Sequence, residues 1–190
     1  MNSLKVIFIR HGETEGNILK KYIGKTDEPL CSQGIENVKN RRYPECDILI
    51  VSPMKRCMQT ADIIYPSKEK LVYDGLKECD FGNFEGKNYI ELKDSDEYQK
   101  WIDSGGTLAF PGGEAPEEFK KRTNSTFKRI MDKISKKCTV AFVVHGGTIM
   151  SVMEKLGVPE KSYYDYMLLN GDYIVTEYDE EKNYYEKSGE

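Results

Sequence analysis

The chain has 190 residues, 38% of them hydrophobic and 32% charged, a composition ordinary for a folded globule; no internal repeat or low-complexity linker interrupts it. A formal net charge of −4 gives no reason to expect non-specific nucleic-acid binding, although a local positive pocket can sit within an acidic surface. No run approaches the roughly 20 apolar residues that span a bilayer, and MNSLKVIFIRHGET turns polar before any cleavage pattern, so no membrane span or signal peptide is read and the cytoplasm is the expected location.

In chain order, Leu4 to Ile9 is a short apolar, β-branched and aromatic run that predicts a buried strand. After a turn-rich stretch, Ser32 is placed to cap a helix with Ile35 and Val38 near one face. Asp47 to Val51 predicts a second strand. Ser52 and Pro53 follow, and serine at a cap with proline at the first helical position predicts a helix start there. Met54, Cys57, Met58, Ala61 and Ile64 continue at helical spacing, and Lys70 to Tyr73 predicts a third strand.

From Asp74 to about Lys137 the pattern changes: glycine-containing turns, a charged patch around Lys93 to Lys100, the PGG turn at Pro111, and a longer helix from near Ala115 with Phe119, Phe127, Ile130 and Ile134 on its apolar face. This reads as an insertion, about 74–137, within a single domain spanning 1–190. Strand character returns at Thr139 to Val144. Ile149, Val152, Met153 and Leu156 then mark a helix that Gly157 can end. Asp172 to Tyr178 and Tyr184 to Lys187 read as a closing antiparallel pair, with Asp179 to Asn183 as its turn. Strands alternating with helices at this spacing predict an α/β sandwich.

Five cysteines, odd in number, scattered and without a C-x-x-C, predict free thiols rather than a disulfide framework. The two histidines attract more attention. His11 follows one predicted strand and precedes Gly12; His145 follows another and precedes Gly146 and Gly147. Ligands of open α/β sheets bind beyond the carboxyl ends of strands, so both imidazoles are expected to face one ligand. Arg10 adjoins His11, and Arg56 lies in the first turns of the helix expected at Ser52. A guanidinium and helix-start amides together suit an oxyanion.

That set fits phosphoryl transfer: a neutral imidazole attacks phosphorus, cations stabilise the equatorial oxygens, and a carboxylic acid protonates the leaving alkoxide. Glu13, Glu78 and Glu85 are all candidates for the acid, and residue reasoning leaves them unranked. Neither histidine lies in a cluster with metal-ligand spacing, and no G-x-x-x-x-G-K-[ST] or G-x-G-x-x-G element occurs, so no metal and no cofactor are expected.

The blocks RHGETEGN (Arg10 to Asn17), SPMKRCMQTA (Ser52 to Ala61), LKECDFGNFEG (Leu76 to Gly86) and VVHGG (Val143 to Gly147) resemble, in order and spacing, the histidine phosphatase superfamily, which includes the cofactor-dependent phosphoglycerate mutases. The resemblance implies a three-layer α/β/α sandwich with a mixed, mainly parallel sheet. It implies His11 as the phosphorylated nucleophile and His145 as the second histidine. Arg10 and Arg56 would clamp the phosphate oxygens, Asn17 and Gly146 would line the same pocket, and Glu78 would be the proton donor.

Within the superfamily, the compact chain, its RHGET start and the PGGE at Pro111 to Glu114 resemble the α-ribazole phosphatase group, whose members act in cobalamin nucleotide-loop assembly. A phosphoglycerate mutase, a broad-specificity sugar or nucleotide phosphatase and a phosphate-sensing interaction module are the alternatives. The expected partner is a small phosphorylated metabolite; the sequence leaves a homodimer open. Glu114 would stabilise a helix start or contact substrate. Lys87, Trp101, Phe110 and Tyr166 are candidates to select the organic group, and Tyr163 and Tyr164 to line a pocket.

Overall fold

Leu4–Arg10 (β1) alternates its apolar side chains between two faces, and both faces are covered. Val6 and Phe8 join one core, Ile7 and Ile9 the other, and all four are fully buried. A strand shielded on both sides must be apolar throughout, which is why this run lacks the polar alternation of a half-exposed strand. The computed structural model in which this is seen describes residues 4–134, 137–158, 161–179 and 184–187.

Among the described residues seven strands form one sheet. The others are Ile48–Val51 (β2), Lys70–Val72 (β3), Thr139–Val144 (β4), Gly157–Val158 (β5), Tyr173–Asp179 (β6) and Tyr184–Lys187 (β7), in the order β3-β2-β4-β1-β6-β7-β5. The first four pair in parallel, while β6 runs antiparallel to both β1 and β7. The sheet is therefore mixed and mostly parallel, as the resemblance implies. The predicted turn between β6 and β7 falls at 180–183, outside the described residues.

On one face lie Pro116–Met131 (α6) and Gly146–Leu156 (α7). Phe127, Ile130, Ile149, Val152 and Met153 pack there on Val6, Phe8, Val140 and Phe142, and the rings of Phe8, Phe127 and Phe142 meet. On the other, Cys57 and Ala61 of Lys55–Ile64 (α3) cover Ile7, Ile9, Leu49, Val51, Ala141 and Val143. Ser32–Asn40 (α2) packs outside α3. Helices on both faces make the α/β/α layering.

Between β3 and β4 the chain also forms two short 3-10 turns and the helices Tyr89–Leu92 (α4) and Asp96–Asp103 (α5). Their apolar side chains gather in a separate, ring-rich cluster: Phe84, Tyr98, Phe110 and Phe119, with Tyr22, Phe81 and Trp101 against it. The helix near Ala115 begins at Pro116 with Ala115 at the cap, and Ile134 lies beyond its end yet still packs on the core.

Two helix starts differ from the sequence reading. In α2 the capping side chain is Cys31, whose sulfur accepts from the Gly34 amide at 3.3 Å, one residue before Ser32. The larger difference is at Ser52 and Pro53. The helix begins at Lys55 with Met54 at the cap, and no cap side chain bonds its first amides. The Lys55 amide donates instead to Asp27 Oδ1 at 2.6 Å, so a loop distant in sequence does the work expected of Ser52. Gly157 ends α7 as expected and continues directly into β5.

Candidate active site

Arg10, the last residue of β1, pairs in register with Val144, the last of β4, so His11 and His145 leave two adjacent parallel strands at the same sheet end. Their ring centroids lie 5.2 Å apart, both side chains are buried, and the His11 amide donates to the Val144 carbonyl.

Hydrogen bonding assigns each ring a tautomer. His11 Nδ1 lies 2.7 Å from the Gly12 carbonyl oxygen, which can only accept, so the proton sits on Nδ1 and Nε2 keeps its lone pair. For His145 the order is reversed. Arg56 Nε can only donate, and it lies 3.3 Å from His145 Nδ1; the ring proton is therefore on Nε2, 2.8 Å from Ser52 Oγ. Burial holds both imidazoles well below the usual histidine range, and the Arg56 and Arg10 charges add to the effect. At neutral pH both rings are uncharged.

Ser52 thus serves a histidine rather than a helix. Cys57 completes the apolar side of this pocket, its sulfur 3.6 Å from His145 Nε2, and burial pushes its thiol up to about 12. Thr60 accepts from the Gly12 amide at 3.0 Å and donates to the Arg56 carbonyl at 2.6 Å, tying the turn after His11 to α3.

Two arginines flank the histidines differently. Arg10 Nη1 donates to the Leu168 carbonyl at 2.6 Å, while its Nε is buried and meets no protein acceptor among the described residues. Arg56 is completely buried, with Nη1 on the Thr26 carbonyl at 2.8 Å and Nη2 on the Gly24 carbonyl at 2.9 Å. Much of its donor capacity is spent within the protein.

Glu78 arrives from the 3-10 segment after β3. Its carboxylate accepts from the Cys79 amide at 3.0 Å and from Gly147, in the first turn of α7, at 3.1 Å. Burial raises this carboxyl above the usual carboxylate range; those two amides and the charges of Arg56 and Arg10 oppose the rise without cancelling it. A Cβ at Gly147 would run into Glu78 Oε1, so a side chain here would push the carboxylate from its place. At Gly146 a Cβ would lie 3.4 Å from Arg10 Cζ, so this residue too touches the cluster.

Asn17 sits in Glu15–Ile18 (α1), where it closes a capping box with Thr14. Its Oδ1 accepts from Asn170 Nδ2 at 3.1 Å, and the same Asn170 nitrogen reaches the His11 carbonyl at 3.2 Å. The sequence reading passed over Asn170, which stands alone in a loop and carries no motif.

The remaining candidates lie outside the histidine pair, although Glu114 lines a cleft together with Glu78. Glu13 bonds Asn37 at 3.2 Å. The Glu85 carboxylate is enclosed by backbone amides of residues 24–26. Glu114 forms a two-pronged pair with Arg122 of α6, at 2.9 and 2.8 Å. Trp101 and Phe110 belong to the ring cluster of the inserted segment, Tyr166 to the core beneath α7, and Lys87 bonds the Asn83 carbonyl. Tyr163 donates to the Gly147 carbonyl at 3.4 Å, whereas Tyr164 is exposed. Among the described residues, no three or more His, Cys, Asp or Glu side chains are grouped to hold a metal ion.

Comparison with known proteins agrees with this geometry. The model of the "Histidine phosphatase superfamily (branch 1)" matches residues 6–190. The chain is 30% identical over 186 residues to "Uncharacterized phosphatase PhoE" of Bacillus subtilis, covering 93% of this chain and 90% of that one. It is 25% identical over 161 residues to the "Adenosylcobalamin/alpha-ribazole phosphatase" of Salmonella typhimurium, covering 80% and 79%. It also superimposes on a phosphoserine phosphatase mutant from Entamoeba histolytica, solved in complex with phosphoserine, with a TM-score of 0.79 at 28% identity, covering 98% of this chain and 95% of that one. Sequence and fold both find relatives over nearly the whole chain: it belongs to branch 1 of the histidine phosphatase superfamily.

Proposed function

We propose that this protein is a phosphomonoesterase that works through a phosphohistidine on His11, without a metal and without a cofactor. The observation that carries the reading is the Nδ1–Gly12 carbonyl bond, which leaves Nε2 of an uncharged, buried imidazole as a nucleophile. Nε2 attacks phosphorus, the bond to the leaving oxygen breaks, and that oxygen takes its proton from Glu78. Water then attacks the phosphohistidine, Glu78 accepts the proton from it, and phosphate leaves with Nε2 restored.

Arg10 offers its unpartnered Nε to the equatorial oxygens. Asn17, whose carbonyl faces Asn170, has its amide hydrogens to add, and Gly146 leaves room for the anion. His145, with Arg56 behind it, lies beside the transferred group. The cleft that Glu78 helps to line, about 590 Å³ and lined also by Lys25, Asp27, Met54, Glu114 and Arg122, is suited to the leaving group. A small phosphorylated metabolite is the expected substrate, and α-ribazole phosphate, a cobalamin precursor, comes first among candidates on the name of one relative. Phosphoserine follows on another. The cytoplasm is the proposed location; among the described residues, no helix is long and apolar enough to cross a membrane.

The test is transfer of ³²P from a labelled monoester, quenched without acid. The native protein should carry one base-stable, acid-labile label per chain, and His11→Ala should carry none and turn over at least about 10³-fold more slowly. Full turnover in the alanine variant would refute the mechanism. A panel of α-ribazole phosphate, phosphoserine, sugar phosphates, nucleotides and phosphoglycerates then ranks substrates by kcat/KM. Conversion of 3-phosphoglycerate to its 2-isomer with little phosphate release would turn the reading to a mutase.

A further inference from the structure

Glu85 lies in the segment that also supplies Glu78, yet its carboxylate is enclosed by a ring of donors. Oε1 accepts from the amides of Gly24 at 3.1 Å, Lys25 at 2.8 Å and Phe81 at 3.2 Å. Oε2 accepts from Thr26 Oγ1 at 2.7 Å, with the Gly24 amide at 3.2 Å and the Thr26 amide at 3.4 Å also in reach. A carboxylate so saturated has no proton to lend to a leaving group.

The other side of the same loop meets Arg56. The peptide joining Ile23 to Gly24 donates its N–H to Glu85 and presents its carbonyl to Arg56 Nη2 at 3.5 Å; the next peptide, Gly24 to Lys25, does the same with its carbonyl at 2.9 Å. A peptide unit is planar, so fixing its N–H fixes its carbonyl. Two consecutive planes therefore stand between a carboxylate and a guanidinium, each bond polarising the next. Thr26, held by its hydroxyl, adds a third carbonyl to Arg56 Nη1. Gly24 lets the planes approach this closely, since a Cβ would collide with the Cys79 carbonyl. Arg56 Nε in turn fixes the proton of His145.

We infer that Glu85 is a positioning residue for the second histidine, acting through the peptide planes of residues 23–26 and Arg56. The inference rests on the phosphohistidine reading above. Its content is that hydrogen-bond acceptance at this position, rather than negative charge or proton transfer, sets the orientation of Arg56 and so the tautomer of His145.

Kinetics on p-nitrophenyl phosphate, whose leaving group needs no proton, and on an alkyl phosphate, whose leaving group does, test it. Glu85→Ala should lower kcat about 10- to 100-fold on both substrates alike, with KM little changed. Glu85→Gln, which keeps an oxygen against the Gly24, Lys25 and Phe81 amides, should recover most of that loss. Glu85→Asp, which keeps the charge but falls short of the amides, should not. In the Arg56→Ala background the Glu85→Ala effect should vanish. A loss confined to the alkyl substrate, additive losses in the double variant, or equal activity of Gln and Asp would each overturn the proposal.

Should the alanine variant not fold, the Gln and Asp pair carries the test. The ¹⁵N shifts of His145 supply a readout independent of turnover, expected to change in Glu85→Asp and not in Glu85→Gln. A native protein inactive on both substrates would sink the phosphatase reading, while the shifts would still report on Glu85.

Discussion

At the scale of single residues, the chemistry depends on which atoms are already occupied. His11 and His145 are both neutral and buried, yet they present opposite nitrogens because one meets a carbonyl and the other a guanidinium. Glu78 is held by two amides and still raised by burial, the direction that favours a carboxyl able to lend a proton. Glu78→Gln should therefore reduce kcat on an alkyl phosphate by about 10²- to 10⁴-fold and on p-nitrophenyl phosphate by less than about tenfold. Equal losses on the two would remove Glu78 from the acid's role.

The histidines and arginines were legible in the sequence because each abuts an unmistakable strand or helix signal. The rank of Glu78 over Glu13 and Glu85 came only from the family blocks. Residue chemistry cannot supply it, since three glutamates look alike until their surroundings are known. Ser52 shows the converse: its local signal was strong and pointed to a cap, but a buried imidazole 2.8 Å away claims the hydroxyl. Both outcomes have the same cause. A polar side chain goes to the partner that desolvation makes costliest to leave alone, and that partner is often distant in sequence.

Among elements, every strand but the two-residue β5, together with the core helices α3, α6 and α7, was read from the sequence, with boundaries displaced by a residue or two where partners distant in sequence replace local caps. Asp27 at the start of α3 is one such partner. Arg122, inside α6, makes tertiary bonds of a different kind, and it was invisible because an arginine on a polar helix face announces nothing. It donates to the carbonyls of Gly75 and Lys77 at 3.0 Å and of Glu78 at 3.4 Å while gripping Glu114, so α6 anchors the backbone that carries Glu78. Arg122→Ala should cost about 1–3 kcal/mol of stability by leaving acceptors unpaired. It should also depress alkyl phosphate turnover more than p-nitrophenyl phosphate turnover. Combining it with Glu114→Ala should cost less stability than the two single changes added, as a thermal-melt double-mutant cycle would register.

For the molecule as a whole, the buried imidazoles make stability depend on pH. Both histidines have folded-state values depressed below the unfolded value of about 6.5. Below that value the unfolded chain takes up protons the folded one refuses, so stability falls as the pH drops and is fully present above it. The slope is at most about 1.4 kcal/mol per pH unit for each histidine. Glu78, raised by burial, works in the opposite sense from the unfolded glutamate value up to its own folded one. Urea midpoints should decline between pH 7 and 5.5, and the decline should be no more than about half as steep in His11→Ala, where one histidine is gone and Glu78 still opposes. An identical slope in that variant would mean that His11 already holds a proton in the folded state.

The position of β1 at the centre of the sheet also has a temporal side. Its two neighbours are β4, which opens at Thr139, and β6, which opens at Tyr173, so the ribosome finishes the first strand long before either exists. At roughly 5–20 residues per second, the nascent LKVIFIR segment waits on the order of 10–30 s for its second neighbour. One backbone edge stays uncovered for all of that interval, and both stay uncovered until β4 has emerged. Chaperone binding to stalled chains should accordingly persist until residues beyond β6 emerge, and the two histidines cannot meet any earlier than β4 allows.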